Sequence, residues 1–216
     1  MIWAHRQLFL DAALLFAAGL FAAAPVVRFR LRAVAVPALK VFGGVMRLLG
    51  QTPGLVRMTA VIFLFNGLVM FVYMASGIHP MLPKVFAVWT GMNIGVILGF
   101  THGGLEPAPR IGRRPDQWLP PEWLHSVCGL AVLLIELPCF WLAIALGLSM
   151  GGKVQADGRY LDALAPRVTT YATVILPLLL LSAVSEAMAI RGSTRYHEQA
   201  ETRKEETDTP DRRPEG

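Results

Sequence analysis

Charge is scarce in this chain, and the scarcity is uneven. Asp, Glu, Lys and Arg make up 16% of its 216 residues, and 54% are hydrophobic. A soluble domain carries roughly 25% charged residues. The charges that exist cluster between long apolar runs, which is the pattern of a polytopic membrane protein and leaves no room for a large soluble domain. Cysteine is almost missing as well. Cys128 and Cys139 lie in one apolar run, and on one helix they would sit about 16 Å apart along the axis. They cannot bridge each other, and they form no metal-binding spacing. A nucleophile elbow, a Walker A loop, zinc spacing and a dinucleotide fingerprint are all missing. That weighs against an enzyme, and no cofactor or metal is expected. Acidic residues are absent from 28–57. The pI of about 9.6 would suit nucleic acid, but the Lys and Arg residues flank apolar runs. Anionic lipid headgroups, and not nucleic acid, are the partner this implies.

What is present is five apolar runs. A bilayer crossing takes about 20 apolar residues, and the runs are read as spans over about 8–27, 58–78, 85–101, 127–150 and 171–190. The expected fold class is therefore all-α, a membrane helix bundle over 1–190. The polar tail 191–216 has no apolar periodicity and is expected to be disordered. Residues 22–24, Ala-Ala-Ala, resemble a signal-peptide cleavage site, but Asp11 inside the first run argues against one.

The links differ in character. His79-Pro80-Met81-Leu82-Pro83-Lys84 is short and predicts a helical hairpin of spans two and three. The 102–126 link is rich in Gly, Pro and Arg and contains Trp118 and Trp123, which suits an interfacial belt before a span. His102 and Glu106 at its start are too few to make a metal site. The 28–57 link carries Arg28, Arg30, Arg32, Lys40, Arg47 and Arg57. Val41, Phe42, Val45, Met46, Leu48 and Leu49 recur there at helical spacing. Two readings stand side by side: an amphipathic helix on the headgroups, or a basic loop that only sets topology. Fifteen of the 20 Lys and Arg residues fall in 28–57, 102–126 and the tail. By the positive-inside rule this puts the C-terminus in the cytoplasm and the N-terminus outside.

Polar residues inside the spans are the candidate site. Glu136 is the only charged residue between Val127 and Met150, and Pro138 follows two positions later. A carboxyl group there is costly, so it faces protein or water, and an intramembrane carboxyl is a functional-site hypothesis by default. Pro138 removes a backbone donor and favours a helix bend. Glu186 lies near the end of span five, after Ser182 and Ser185. No basic residue inside a span can pair with Glu136. That leaves a neutral, hydrogen-bonded side chain or a relay for ions or protons. Asn66 and Asn93 lie mid-span, each suited to glue between helices or to the lining of a path. Gly91, Gly95 and Gly99 form a small-xxx-small ladder, and Gly147 and Gly151 repeat the spacing. Such ladders let backbones approach closely, within one chain or between copies in a homo-oligomer.

The stretch from Glu136 to Leu148, beginning Glu-Leu-Pro and ending Gly-Leu, resembles the signature of the stage II sporulation protein M family. Glu136, Leu137, Pro138, Ala143, Gly147, Leu148 and Gly151 fall in register. Asn93-Ile94-Gly95 followed by Gly99 is similar to that family's third span, Asn66 to an Asn in its preceding span, and Leu180 to Ala187 to its last. The sequence differs at Val132 and Leu133, where the family often has His-Gly. The resemblance covers roughly 58–190. It implies a membrane protein without catalysis of its own, and in the founding member a role in spore engulfment beside septal cell-wall hydrolases. It also implies a cytoplasmic N-terminus, against the charge count. The expected function is a scaffold or subunit of a cell-envelope membrane complex. Its partners would be the lipid bilayer and other membrane or envelope proteins. The alternative is a transport subunit that uses Glu136 near the Pro138 bend.

Overall fold

The computed structural model describes residues 6–50, 53–102 and 122–191, and every regular element among them is helical. Helix α1 (Arg6–Arg28) is followed by α2 (Arg32–Leu49) and α3 (Leu55–Ala75). A 3-10 turn, Ser76–Ile78, leads to α4 (Met81–His102). Then come α5 (Glu122–Asp157) and α6 (Tyr160–Thr170). The last runs through a π turn, Tyr171–Ile175, into α7 (176–191). Among the described residues, five segments are long and apolar enough to cross a membrane: Arg6–Arg28, Leu55–Ile78, Met81–Gly99, Val127–Asp157 and Tyr160–Arg191. The protein is an all-α, multi-pass membrane bundle. The tail 192–216 and the link residues 103–121, including Trp118 and Glu106, lie outside the described residues.

Local chemistry sets the corners. The chain turns from α1 into α2 at Arg30, whose φ of 51° is left-handed. The Leu31 N–H closes that corner on the Val26 carbonyl at 2.9 Å. Helix α2 stops at Gly50, where φ is 79° and the backbone N–H donates to the Met46 carbonyl. Its neighbour Arg57 donates to the Leu48 carbonyl at 2.9 Å, satisfying one of the carbonyls a helix end leaves open. Before α4, His79 Nδ1 accepts from the Met81 N–H.

Helices α1 and α4 approach most closely. A Cβ on Gly91 would run into the Phe16 carbonyl, and one on Gly19 into the Val88 carbonyl. A Cβ on Gly95 would come within 2.6 Å of the Ala23 methyl. Gly99 faces Val27 in the same way. The ladder on α4 is thus filled by α1 of the same chain. Helix α5 runs at the centre and touches α1, α3, α4 and α6. Its aromatic residues knit the middle: Phe140 lies 5.4 Å from both the Phe16 and Tyr73 rings, and Trp141 lies 5.6 Å from Phe9. Gly147 and Gly151 admit the 3-10 turn and the following Pro80, with a Gly147 Cβ falling 2.7 Å from the Tyr73 carbonyl.

The tight 79–84 link joins α3 to α4, but the two walls part beyond it. Tyr73 Oη meets Thr90 Oγ1 at 2.6 Å near the turn. Further along, α4 lies on α1 and α3 lies on α5. The reason is the glycine face of α4, which only α1 approaches closely. The fourth and fifth spans also run past their apolar stretches. Helix α5 has 36 residues, about 54 Å, against a hydrocarbon thickness of about 30 Å. Gly151 and Gly152 do not end it, because α6 packs back against its last turns.

Gly91→Ala should destabilise the bundle by about 1–3 kcal/mol, the cost of overpacking. Gly129→Ala, where nothing lies within 4 Å, should leave stability unchanged or raise it by up to about 1 kcal/mol through helix propensity. Denaturation titrations of the purified protein in detergent compare the two. Equal losses would mean that close approach does not hold α1.

A candidate intramembrane polar site

Glu136 gathers donors from two other helices. Asn66 on α3 donates through Nδ2 to Glu136 Oε1 at 3.1 Å, and Ser182 on α7 donates through Oγ to Oε2 at 3.4 Å. One carboxyl group therefore ties three spans together. Each partner is polar and short enough to sit within an apolar helix, and in hydrocarbon such groups have no water to turn to. Glu186 stands four residues after Ser182, on the same face of α7. Among the described residues no Lys or Arg forms an ion pair with either carboxyl group. Helices α5 and α7, which meet at the Ser182–Glu136 hydrogen bond, each carry one carboxyl group in a span, where a charge is costly.

The helices that carry this cluster include a proline in α5 and a π turn ahead of α7. Helix α5 stays helical through Pro138, although the ring leaves the Leu134 carbonyl without its usual donor. The π turn Tyr171–Ile175 lies ahead of Ser182, and Pro177 follows it. The Tyr171 hydroxyl donates to the Gly67 carbonyl, one residue beyond Asn66, and closes α7 against α3.

Other candidates lie apart. Asn93 is half-buried and makes no side-chain hydrogen bond to another described residue, so it does not join the cluster. Arg28, Arg30, Lys40 and Arg47 are exposed along α2 and its approach, while the side chain of Arg32 lies outside the described residues. No group of three or more His, Cys, Asp or Glu side chains among the described residues could hold a metal ion. An open polar recess of about 520 Å³ at the α5–α6 corner is lined by Lys153, Asp157, Arg159, Asp162 and Ala163. It lies at the end of α5, away from Glu136.

One buried cation escapes the sequence reading. Arg167 on α6 is only 7% exposed. It donates to the Ala163 carbonyl at 2.8 Å and to the carbonyl and hydroxyl of Ser149 at 3.3 Å, which fixes α6 to α5. In the sequence it counts as one more link charge. Its one signal is its place on the apolar stripe of α6, four residues after Ala163. Near Phe9, the buried Trp141 indole N–H has no partner among the described residues.

Five apolar spans, packed through glycine and joined by a carboxyl-centred hydrogen-bond cluster, define a polytopic α-helical membrane protein. The Stage II sporulation protein M family matches residues 12–189, and the chain belongs to that family. No curated protein and no solved structure matches it. The match begins within α1 and so extends well before the motif-bearing spans.

A double-mutant cycle of Asn66→Ala with Glu136→Ala should give a coupling of about 0.6–1.7 kcal/mol, the range for hydrogen bonds between membrane helices. The same cycle with Asn93→Ala should give a coupling near zero. A large Asn93 coupling would contradict the geometry. Arg167→Lys keeps the charge but loses the fork. It should cost about 1–3 kcal/mol by leaving buried acceptors unsatisfied, read as increased proteolysis at the α5–α6 corner.

Proposed function

We propose that the protein is a non-enzymatic scaffold subunit of a cell-envelope membrane complex, with its C-terminus in the cytoplasm. The observation that carries this reading is the Glu136 cluster, in which Asn66 and Ser182 donate to one carboxyl group from two other spans. A polar group satisfied in this way gives a bundle one arrangement rather than several. The glycine faces are filled from within the chain, so partners dock on the outward faces of the spans or on the links. Membership of the family supports a membrane role linked to cell-wall remodelling, of the kind served by the sporulation member after which the family is named. The charge distribution supports the orientation.

The test is affinity isolation from native membranes in mild detergent, with partners identified by mass spectrometry. Envelope hydrolases or division proteins should be captured by the wild type and by Glu136→Gln, which keeps a hydrogen-bonding amide. Glu136→Leu should lose both assembly and capture. Loss of capture by Glu136→Gln at normal protein levels would end the scaffold reading.

A transport subunit is the second reading, supported by intramembrane carboxyl groups on two spans that meet, Glu136 on α5 and Glu186 on α7, with Pro138 in the first and a π turn ahead of the second. Irregular backbone in membrane proteins is tolerated where it is buried in protein or lines a cavity. Proteoliposomes would then show ion or solute flux that Glu136→Gln reduces. Flux equal to that of empty vesicles would count against it.

A further inference from the structure

Helix α2 has three sides, and the bundle accounts for one. Ala35 and Ala38 are buried with Ala23 and Val26 of α1 and Val96 of α4. Leu49 is buried with Met58 and Ile62 of α3 and Ala183 of α7. On a second side, Val34, Val41 and Leu48 recur every seventh residue and so form one stripe along the helix. They are 41%, 55% and 62% exposed. Lys40 and Arg47 each precede a member of that stripe, which sets a parallel line of cations about 100° round the axis. Both are exposed. The corner before α2 repeats the alternation, with Arg28 and Arg30 beside exposed Phe29 and Leu31.

A bare aliphatic stripe next to a bare cationic stripe matches one environment better than any other. A helix in the headgroup layer sinks its aliphatic side below the phosphates and holds Lys and Arg level with them. The position agrees. Helix α2 covers the membrane face where α1 ends, α3 begins and α7 ends, so its free sides lie at the depth of the span ends. The charge agrees as well: residues 28–50 contain no acid, and no carboxyl group among the described residues pairs with Arg28, Arg30, Lys40 or Arg47. We infer that α2 is an interfacial strap whose cationic line seats the phosphates of anionic phospholipids, while Val34, Val41 and Leu48 enter the leaflet beside them. The inference is independent of whether the bundle is a scaffold or a transport subunit.

The full chain, reconstituted into phosphatidylcholine vesicles containing a minority of phosphatidylglycerol, tests it. Spin-labelled phosphatidylglycerol should be enriched at the protein surface over spin-labelled phosphatidylcholine. The scale is on the order of fivefold for a fully effective cation. The quadruple variant Arg28→Gln, Arg30→Gln, Lys40→Gln, Arg47→Gln should fall back to the bulk ratio. No enrichment in the wild type, or the same enrichment in the variant, would overturn the inference. A second measurement does not depend on the charges. A nitroxide on V41C, with Cys128 and Cys139 changed to Ser, should be relaxed more by oxygen than by a water-soluble nickel chelate. Greater relaxation by nickel would put the stripe in water. Protection from both would put it under protein, such as a second copy of the chain. Either result would reject the lipid seat.

Discussion

In hydrocarbon a helix gains nothing by hiding leucine from its surroundings, so the fold depends on how closely backbones can come together. Gly19 and Gly91 supply that closeness. Each faces a main-chain carbonyl of the other helix where a methyl group would collide. Dispersion between two backbones then holds α1 to α4 along four glycines. Much of the rest follows. With α4 committed to α1, α3 is left to α5, and the chain is a bundle of interleaved pairs rather than a row of hairpins. At the other end of α5 the same device recurs, with Gly147 and Gly151 admitting the 3-10 turn.

The polar cluster does a different task. Glycine contacts are tolerant of small slides, but hydrogen bonds to one carboxyl group are not. Asn66 and Ser182 converge on the two oxygens of Glu136 from opposite partners, and a one-residue shift of α3 or α7 would turn the donor to another face. Register between spans is thus set at one point, with Arg167 and Ser149 setting it again near the α5–α6 corner.

Much of this was legible in the sequence, and the parts that were not share a cause. The five spans, the ladder at 91, 95 and 99, and the candidates Asn66 and Glu136 all rest on properties of one segment at a time: hydropathy, spacing, or a polar atom in an apolar run. Which segments meet is not such a property. Nothing in the spacing of α4 names α1 as its partner, and Gly19 is the one glycine in an alanine-rich run that offers several small-residue faces. Ser182 reads as one more small residue until its distance to Glu136 is known. Arg167 reads as a link charge because hydropathy stops near Tyr171, whereas the helix starts at Tyr160. Asn93 has the same composition signal as Asn66 and a different surrounding.

The order of synthesis gives the strap and the glycine seam a temporal side. A membrane chain is made from its N-terminus, so α1 and α2 emerge before α4 and α7, against which they also pack. The groove at Gly19 has no Gly91 to close it, and the Ala35–Ala38 face has no Val96, until α4 is inserted. Leu49 waits longer still, for Ala183 of α7. The native bundle is therefore closed late, when α7 arrives.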